Sequence, residues 1–166
     1  MLEHGVSLQG LGNDGAKLNE RGQRRARRNR TRQEHGPKLT VLVSLSRIRI
    51  RDGEALLRTG QPERYGAAIY LAGYALECAM KACICADKKC KCLPAEYWHH
   101  DLMALARRTV WWNLADVGRG LHGRLASVAA EWDVTMRYSV VPYTARDVLE
   151  FIATVTELSK EFAPWP

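Results

Sequence analysis

The sequence predicts an all-α protein, an up-and-down bundle of about five helices behind a disordered basic N-terminal tail. Three observations carry that reading. From about residue 44 to residue 162 apolar residues recur at spacings of three and four, and strand-type alternation is essentially absent. Gly, Pro and Ser/Thr/Asn/Asp positions punctuate this stretch at helix-length intervals. Residues 1–38, by contrast, combine glycines and arginines with almost no aromatic or β-branched residues, too little apolar surface to offset the entropy of ordering. The chain has 166 residues, 46% of them hydrophobic, which suits one packed domain plus a tail. The boundaries read as 1–43 for the tail and lead-in, and 44–162 for the bundle.

Each element can be justified in turn. Leu39-Thr-Val-Leu-Val43 is apolar and reads as an extended lead-in or the approach to a helix. Ser46 is placed to cap a first helix ending near Arg58, with Ile48, Ala55 and Leu56 on its apolar face. Thr59-Gly-Gln-Pro62 supplies a stop and a restart. A long second helix follows, about Glu63 to Asp87, with a small-residue stripe (Ala68, Ala72, Ala75, Ala79, Ala82, Ala86) beside a larger apolar one. Two apolar stripes mark a central helix packed on more than one side. A third helix starts near His100-Asp101 and uses Leu102, Leu105 and Ala106. Asn113 and Asp116 signal a fourth, with Leu121, Leu125, Val128 and Trp132 on its buried side and three glycines weakening its first half. Residues 133–143 read as an extended connection. Thr144 and Asp147 cap the last helix, whose face is Val148, Phe151, Ile152, Val155, Leu158 and Phe162.

Charge and cysteine content narrow the functional classes. Residues 17–38 carry nine Lys/Arg against Glu20 and Glu34, an excess equal to the whole chain's net charge of +7. The basic character therefore belongs to the tail, where Arg24, Arg25, Arg27, Arg28, Arg30 and Arg32 suit sequence-independent contact with nucleic-acid phosphates. All five cysteines lie within residues 78–92, a clustering unlike a disulfide framework and consistent with a reducing, cytoplasmic setting. The most apolar stretch, 65–86, contains Glu77 and Lys81, so it reads as a buried soluble helix and no membrane span is expected.

Few motifs carry chemistry. The string GxGxxG occurs at Gly10–Gly15 and at Gly118–Gly123, in a polar tail and in a helical pattern, whereas dinucleotide binding needs it between a strand and a helix. The cysteines lack the CxxC knuckle of a zinc site, and their bland reading is buried thiols plus two loop cysteines beside lysines. Neither a metal nor another cofactor is expected. Glu77 and Lys81, one turn apart, can neutralise each other within a buried helix or line a functional cleft.

Several strings together resemble the HEPN family: residues 46–57, the run Ala68-Ile-Tyr-Leu-Ala-Gly-Tyr-Ala-Leu-Glu-Cys-Ala-Met-Lys-Ala82, His100-Asp-Leu102 and Arg137-Tyr138. The resemblance covers about 120 residues and implies an up-and-down helical bundle, usually a homodimer, often encoded beside a nucleotidyltransferase-like partner in toxin–antitoxin or defence systems. Many members of the family cut RNA without a metal through an R-x(4–6)-H motif. In this chain no His follows Arg137 at that spacing, and the literal match from Arg30 to His35 falls in the tail. The expectation is therefore a non-catalytic module that binds nucleotide, RNA or a partner protein, with no catalytic residue assigned. Glu77, Lys81, His100, Asp101, Arg137 and Tyr138 are its candidate site residues. The alternatives are a metal-independent ribonuclease toxin, using His100 with Arg137, and a structural helical protein whose tail alone touches nucleic acid.

Residues 1–38 are expected to be dispensable for folding but to hold the nucleic-acid affinity. Removing them should abolish RNA binding measured by fluorescence anisotropy, and the intact chain's binding should fall steeply between about 50 and 200 mM salt. Tight binding by the truncated chain at high salt would place a specific site in the bundle instead.

Overall fold

A computed structural model describes residues 36–113, 118–138 and 140–162; the arginine tail lies outside them. Five α-helices run through the described residues, α1 (Leu39–Arg58), α2 (Tyr65–Asp87), α3 (Leu102–Ala106), α4 (Gly118–Glu131) and α5 (Ala145–Glu161). No β-strand is present among these residues beyond an isolated bridge between Lys38 and Cys92. The chain is an all-α bundle, as its periodicity predicts.

Helix α2 is the centre. Sixteen of its 23 residues are buried, and from Ala75 to Cys85 it is wrapped by neighbours all round. Helix α1 packs along it most extensively, and α5 packs against both. The start of α1 meets the segment beyond the end of α2, so the two helices form an antiparallel hairpin. Helix α4 packs on α5 and α3. Leu42, Ile69, Leu76, Met80, Leu105, Leu125, Val148, Val155, Leu158 and Phe162 fill the core. Helix α2 is long and apolar enough to cross a membrane by length and composition, yet 83% of its apolar window is buried within this chain.

The alanine stripe is covered inside one chain: Ala68, Ala72, Ala75 and Ala82 are wholly buried. Its close neighbour is Gly53 of α1, where a Cβ would stand 3.0 Å from the Ala68 carbonyl oxygen. The stripe therefore serves an intrachain contact; the resemblance favours a dimer seam along this helix, but alanines wholly buried within one chain leave no surface there for a second copy.

Several boundaries differ from the expectation. Helix α1 begins at Leu39, so residues 39–43 are helical and Ser46 is a buried residue inside the helix, not its cap. No side chain caps the N-terminus of α1. Instead Leu39 N–H donates to the Lys91 carbonyl at 2.9 Å, and Leu93 N–H donates to the Pro37 carbonyl at 2.9 Å. A backbone partner fifty residues away does the work of a cap, and local sequence cannot announce it. For the same reason residues 36–38 belong to the fold, and a truncation that leaves it intact ends at residue 35. The buried face of α1 is Leu42, Ser46 and Gly53, while Ile48 and Ala55 are exposed. Close approach to the alanine stripe selects small residues on that face and turns the larger ones aside.

The caps of the later helices follow the sequence. The Asp101 carboxylate accepts from Ala104 N–H at 2.9 Å and starts α3. Thr144 and Asp147 form a reciprocal capping box for α5. Asn113 ends a 3₁₀ turn, Val110–Asn113, and Asp116 lies outside the described residues. The connection over 133–143 is not wholly extended, because Val134–Tyr138 forms a 3₁₀ turn.

Ala75→Leu should overpack the α2 core, costing about 1–3 kcal/mol. The thermal midpoint should fall while the elution volume on a sizing column stays that of the wild type. An unchanged midpoint would mean that the stripe has slack, contrary to its complete burial.

Candidate functional site

Burial of α2 on every side leaves its two mid-helix charges in need of partners. Glu77 is 1% exposed and Lys81 is 7% exposed. One helical turn brings Lys81 Nζ to 2.6 Å from Glu77 Oε1. The second carboxylate oxygen, Oε2, lies 2.8 Å from Nδ1 of His100. Because the carboxylate accepts, Nδ1 carries the hydrogen, and Nε2 becomes the ring atom available to an outside group. His100 is about half exposed (49%), so this buried pair reaches the surface through its ring.

Local structure fixes that histidine. Asp101 caps α3, and Leu102, Leu105 and Ala106 anchor the helix in the core. The residue before the cap is thereby held over the middle of α2. Burial pushes the Cys78 thiol up to about 12, with the Glu77 charge adding to the effect. Burial also pushes the Tyr74 hydroxyl up to about 12, with Cys78 and then Glu77 contributing. Arg49 of α1 opposes both shifts, which places its charge on the same side of α2. Hydrogen bonds from Thr135 hold the Asp133 carboxyl below the usual carboxylate range, with the nearby His100 ring a lesser influence in the same direction. Asp133 is thus within electrostatic reach of the imidazole.

Of the six predicted residues, Glu77, Lys81 and His100 meet directly, and Asp101 stands beside them as a helix cap. Arg137 and Tyr138 do not join this cluster. Both are exposed on the 134–138 turn, with the guanidinium 5.1 Å from the Tyr138 ring centroid. Arg137 lines a separate groove of about 550 Å³ with Glu63, Tyr70, Met136, Val140 and Val141.

The two places are linked by a feature absent from the sequence expectation. The Trp132 ring stacks on Tyr70 with centroids 6.2 Å apart, and its Nε1–H donates to the Tyr70 carbonyl at 3.0 Å. That indole occupies the space a side chain at Gly73 would fill. A glycine deep in a helix with no turn to make was the available signal. Asp133 and Arg49 had none, since their relation to the cluster arises only from tertiary packing.

The arrangement suits acid–base or phosphate chemistry at one imidazole edge. A carboxylate behind Nδ1 fixes the ring's orientation and tautomer, leaving Nε2 to accept or donate a proton. Among the described residues no three of His, Cys, Asp or Glu converge to hold a metal ion. The second GxGxxG string lies within α4, and no strand occurs among the described residues that precede it; the first lies outside the described residues. The chain matches no protein-family model, no curated protein and no solved structure.

Glu77→Ala should be strongly destabilising, by about 3–5 kcal/mol, because it strands the Lys81 charge in the core. Glu77→Leu combined with Lys81→Met should recover most of that loss in urea denaturation, since it removes both charges and fills the space. Equal losses in the single and double variants would show that the carboxylate's partner in stability is something other than Lys81.

Proposed function

We propose that this chain is a HEPN-type, non-catalytic binding module that takes an RNA or nucleotide phosphate at His100. The observation that supports this most is the half-exposed imidazole braced by a fully buried carboxylate. Lys81 engages one carboxylate oxygen of Glu77, and because a surface histidine engages the other, the cluster has an outward-facing donor or acceptor. The helical bundle, the Glu77–Lys81 pair on its central helix and the positions of His100 and Asp101 are compatible with the resemblance from which the reading starts. A homodimer and a nucleotidyltransferase-like partner belong to the same proposal.

A second reading is favoured by the same dyad. With Nδ1 tied to Glu77, Nε2 of His100 is suited to take the proton from a ribose 2′-hydroxyl as it attacks the adjacent phosphorus. That would make the chain a metal-independent ribonuclease. The exposed Arg137 is the nearest analogue of a phosphate-stabilising cation in the expected set, yet it lines a different groove. The separation favours binding over cleavage.

The test uses residues 36–166 with a labelled single-stranded RNA in the presence of a chelator; the His100 reading requires binding that survives loss of the arginine tail, against the sequence expectation that the tail holds all of the nucleic-acid affinity. His100→Ala should weaken binding about tenfold, about 1.4 kcal/mol, measured well below the variant's own thermal midpoint, because the substitution also leaves Glu77 Oε2 without its partner. Unchanged affinity would remove His100 from the site. Products ending in a 2′,3′-cyclic phosphate, lost in His100→Ala, would establish the ribonuclease reading. Loss of all RNA binding on tail removal alone would leave the bundle a structural support.

A further inference from the structure

The cysteine cluster at the end of α2 plays no part in the proposed function, yet its geometry is specific. Lys89 adopts a left-handed backbone with φ of 51°. Its N–H donates to the Ala86 carbonyl at 3.0 Å, and the next N–H, from Cys90, donates to the Cys85 carbonyl at 2.9 Å. These two bonds are the paired closure of a Schellman motif. The motif brings the side chain three positions before the end of the helix against the one just beyond the left-handed residue. That pair is ordinarily two apolar residues. Here both are cysteines, Cys85 and Cys90.

We propose that Cys85 and Cys90 form an oxidisable dithiol, a site of reversible disulfide modification by hydroperoxides, apposed by the turn that ends α2. All five cysteines of the chain are thiols in this structure, with Cys85 buried and Cys90 half-buried. Cys90 is the neighbour that acts most strongly on the Cys85 thiol, ahead of Cys92. Cys85 and Cys90 line one cavity of about 540 Å³ together with Cys92, Lys38, Lys89 and Lys91. Access assigns the roles. Cys90 is the sulfur that a small oxidant reaches, and Cys85 waits behind it.

The chemistry balances with a hydroperoxide as the only co-reactant. The Cys90 sulfur attacks one peroxide oxygen, the O–O bond breaks, and the oxidised product is a sulfenic acid with water or an alcohol leaving. The Cys85 sulfur then attacks Sγ of Cys90, the S–O bond breaks, and the hydroxyl leaves with the Cys85 proton as water. Two thiols and one hydrogen peroxide give one disulfide and two waters. Burial pushes the Cys85 thiol up to about 12, with Cys90 adding to the shift, so Cys85 is held protonated and is not itself the first target. Cys83 and Cys78 are buried elsewhere on the helix, the former with Sγ 3.7 Å from the Asp87 carboxylate.

The full chain, folded and treated with hydrogen peroxide, then alkylated and digested with trypsin, gives the test. Cleavage after Lys88, Lys89 and Lys91 places Cys85, Cys90 and Cys92 on separate peptides. The expected product is the peptide 82–88 joined to the peptide 90–91, lighter by two hydrogens and released by a thiol reductant. It should form unchanged in Cys83→Ala, which shares the first peptide. Lys89→Val disfavours the left-handed turn and should slow the cross-link severalfold, whereas Lys89→Gly, which suits that backbone, should leave it as fast as in the wild type. A cross-link from Cys90 to Cys92, or stepwise over-oxidation of Cys90 with Cys85 still alkylated, would overturn the proposal. So would equal rates in the two Lys89 variants.

Discussion

The central constraint is that α2 is surrounded on all sides from Ala75 to Cys85, where every residue is buried. A helix packed against several neighbours at once has no solvated face on which to leave polar groups, and it admits its neighbours only where its own side chains are small. The alanines answer the second demand and Gly53 of α1 answers it from the opposite side. Gly73 does the same for the indole of Trp132. The first demand produces the candidate site. A carboxylate at Glu77 is tolerable only with both oxygens engaged; Lys81, on the same helix, engages one. The other must be met from a different segment, and His100 meets it. The surface chemistry of the protein is in this sense a by-product of how its core tolerates a charge.

Much of the architecture was legible because it rests on local rules. The extent of α2 follows from its stripes, the start of α5 from the Thr144–Asp147 box, and the start of α3 from Asp101. The start of α1 was not legible, because its first donor is satisfied by Lys91 and no capping side chain is involved. The inward face of α1 was misjudged for a related reason. Periodicity counts apolar residues and so favoured Ile48, whereas a close approach to alanines puts Leu42, Ser46 and Gly53 inside. An inward-facing polar or glycine residue looks like noise until the partner helix is in place.

The site was legible only in its one-dimensional half. Glu77 and Lys81 announce themselves because a helix repeats every 3.6 residues and charges inside an apolar run are rare. That His100 completes the pair depends on a chain reversal and a short capped helix between them, and no spacing rule spans that distance. Arg137 and Tyr138 enter the expectation as polar residues of the connection before the last helix and through the resemblance; both are exposed on the 134–138 turn, and Arg137 lines a separate groove. The thiol pair lay in plain view as C-x4-C, but its meaning needed the left-handed Lys89, a residue type that seldom takes that backbone.

The pairing of residues 37–39 with 91–93 has a mechanical side. Any tension applied through the residues that precede Gly36, for example by a bound macromolecule pulling on the arginine-rich stretch, enters the bundle at Pro37. The pull meets the hydrogen bonds Leu93 to Pro37 and Leu39 to Lys91 before it reaches the second turn of α1. Load is thereby shared at once with the segment that closes α2, and the first helix is shielded from unravelling from its end. The short bridge acts as a strain relief at the point where the chain enters the bundle.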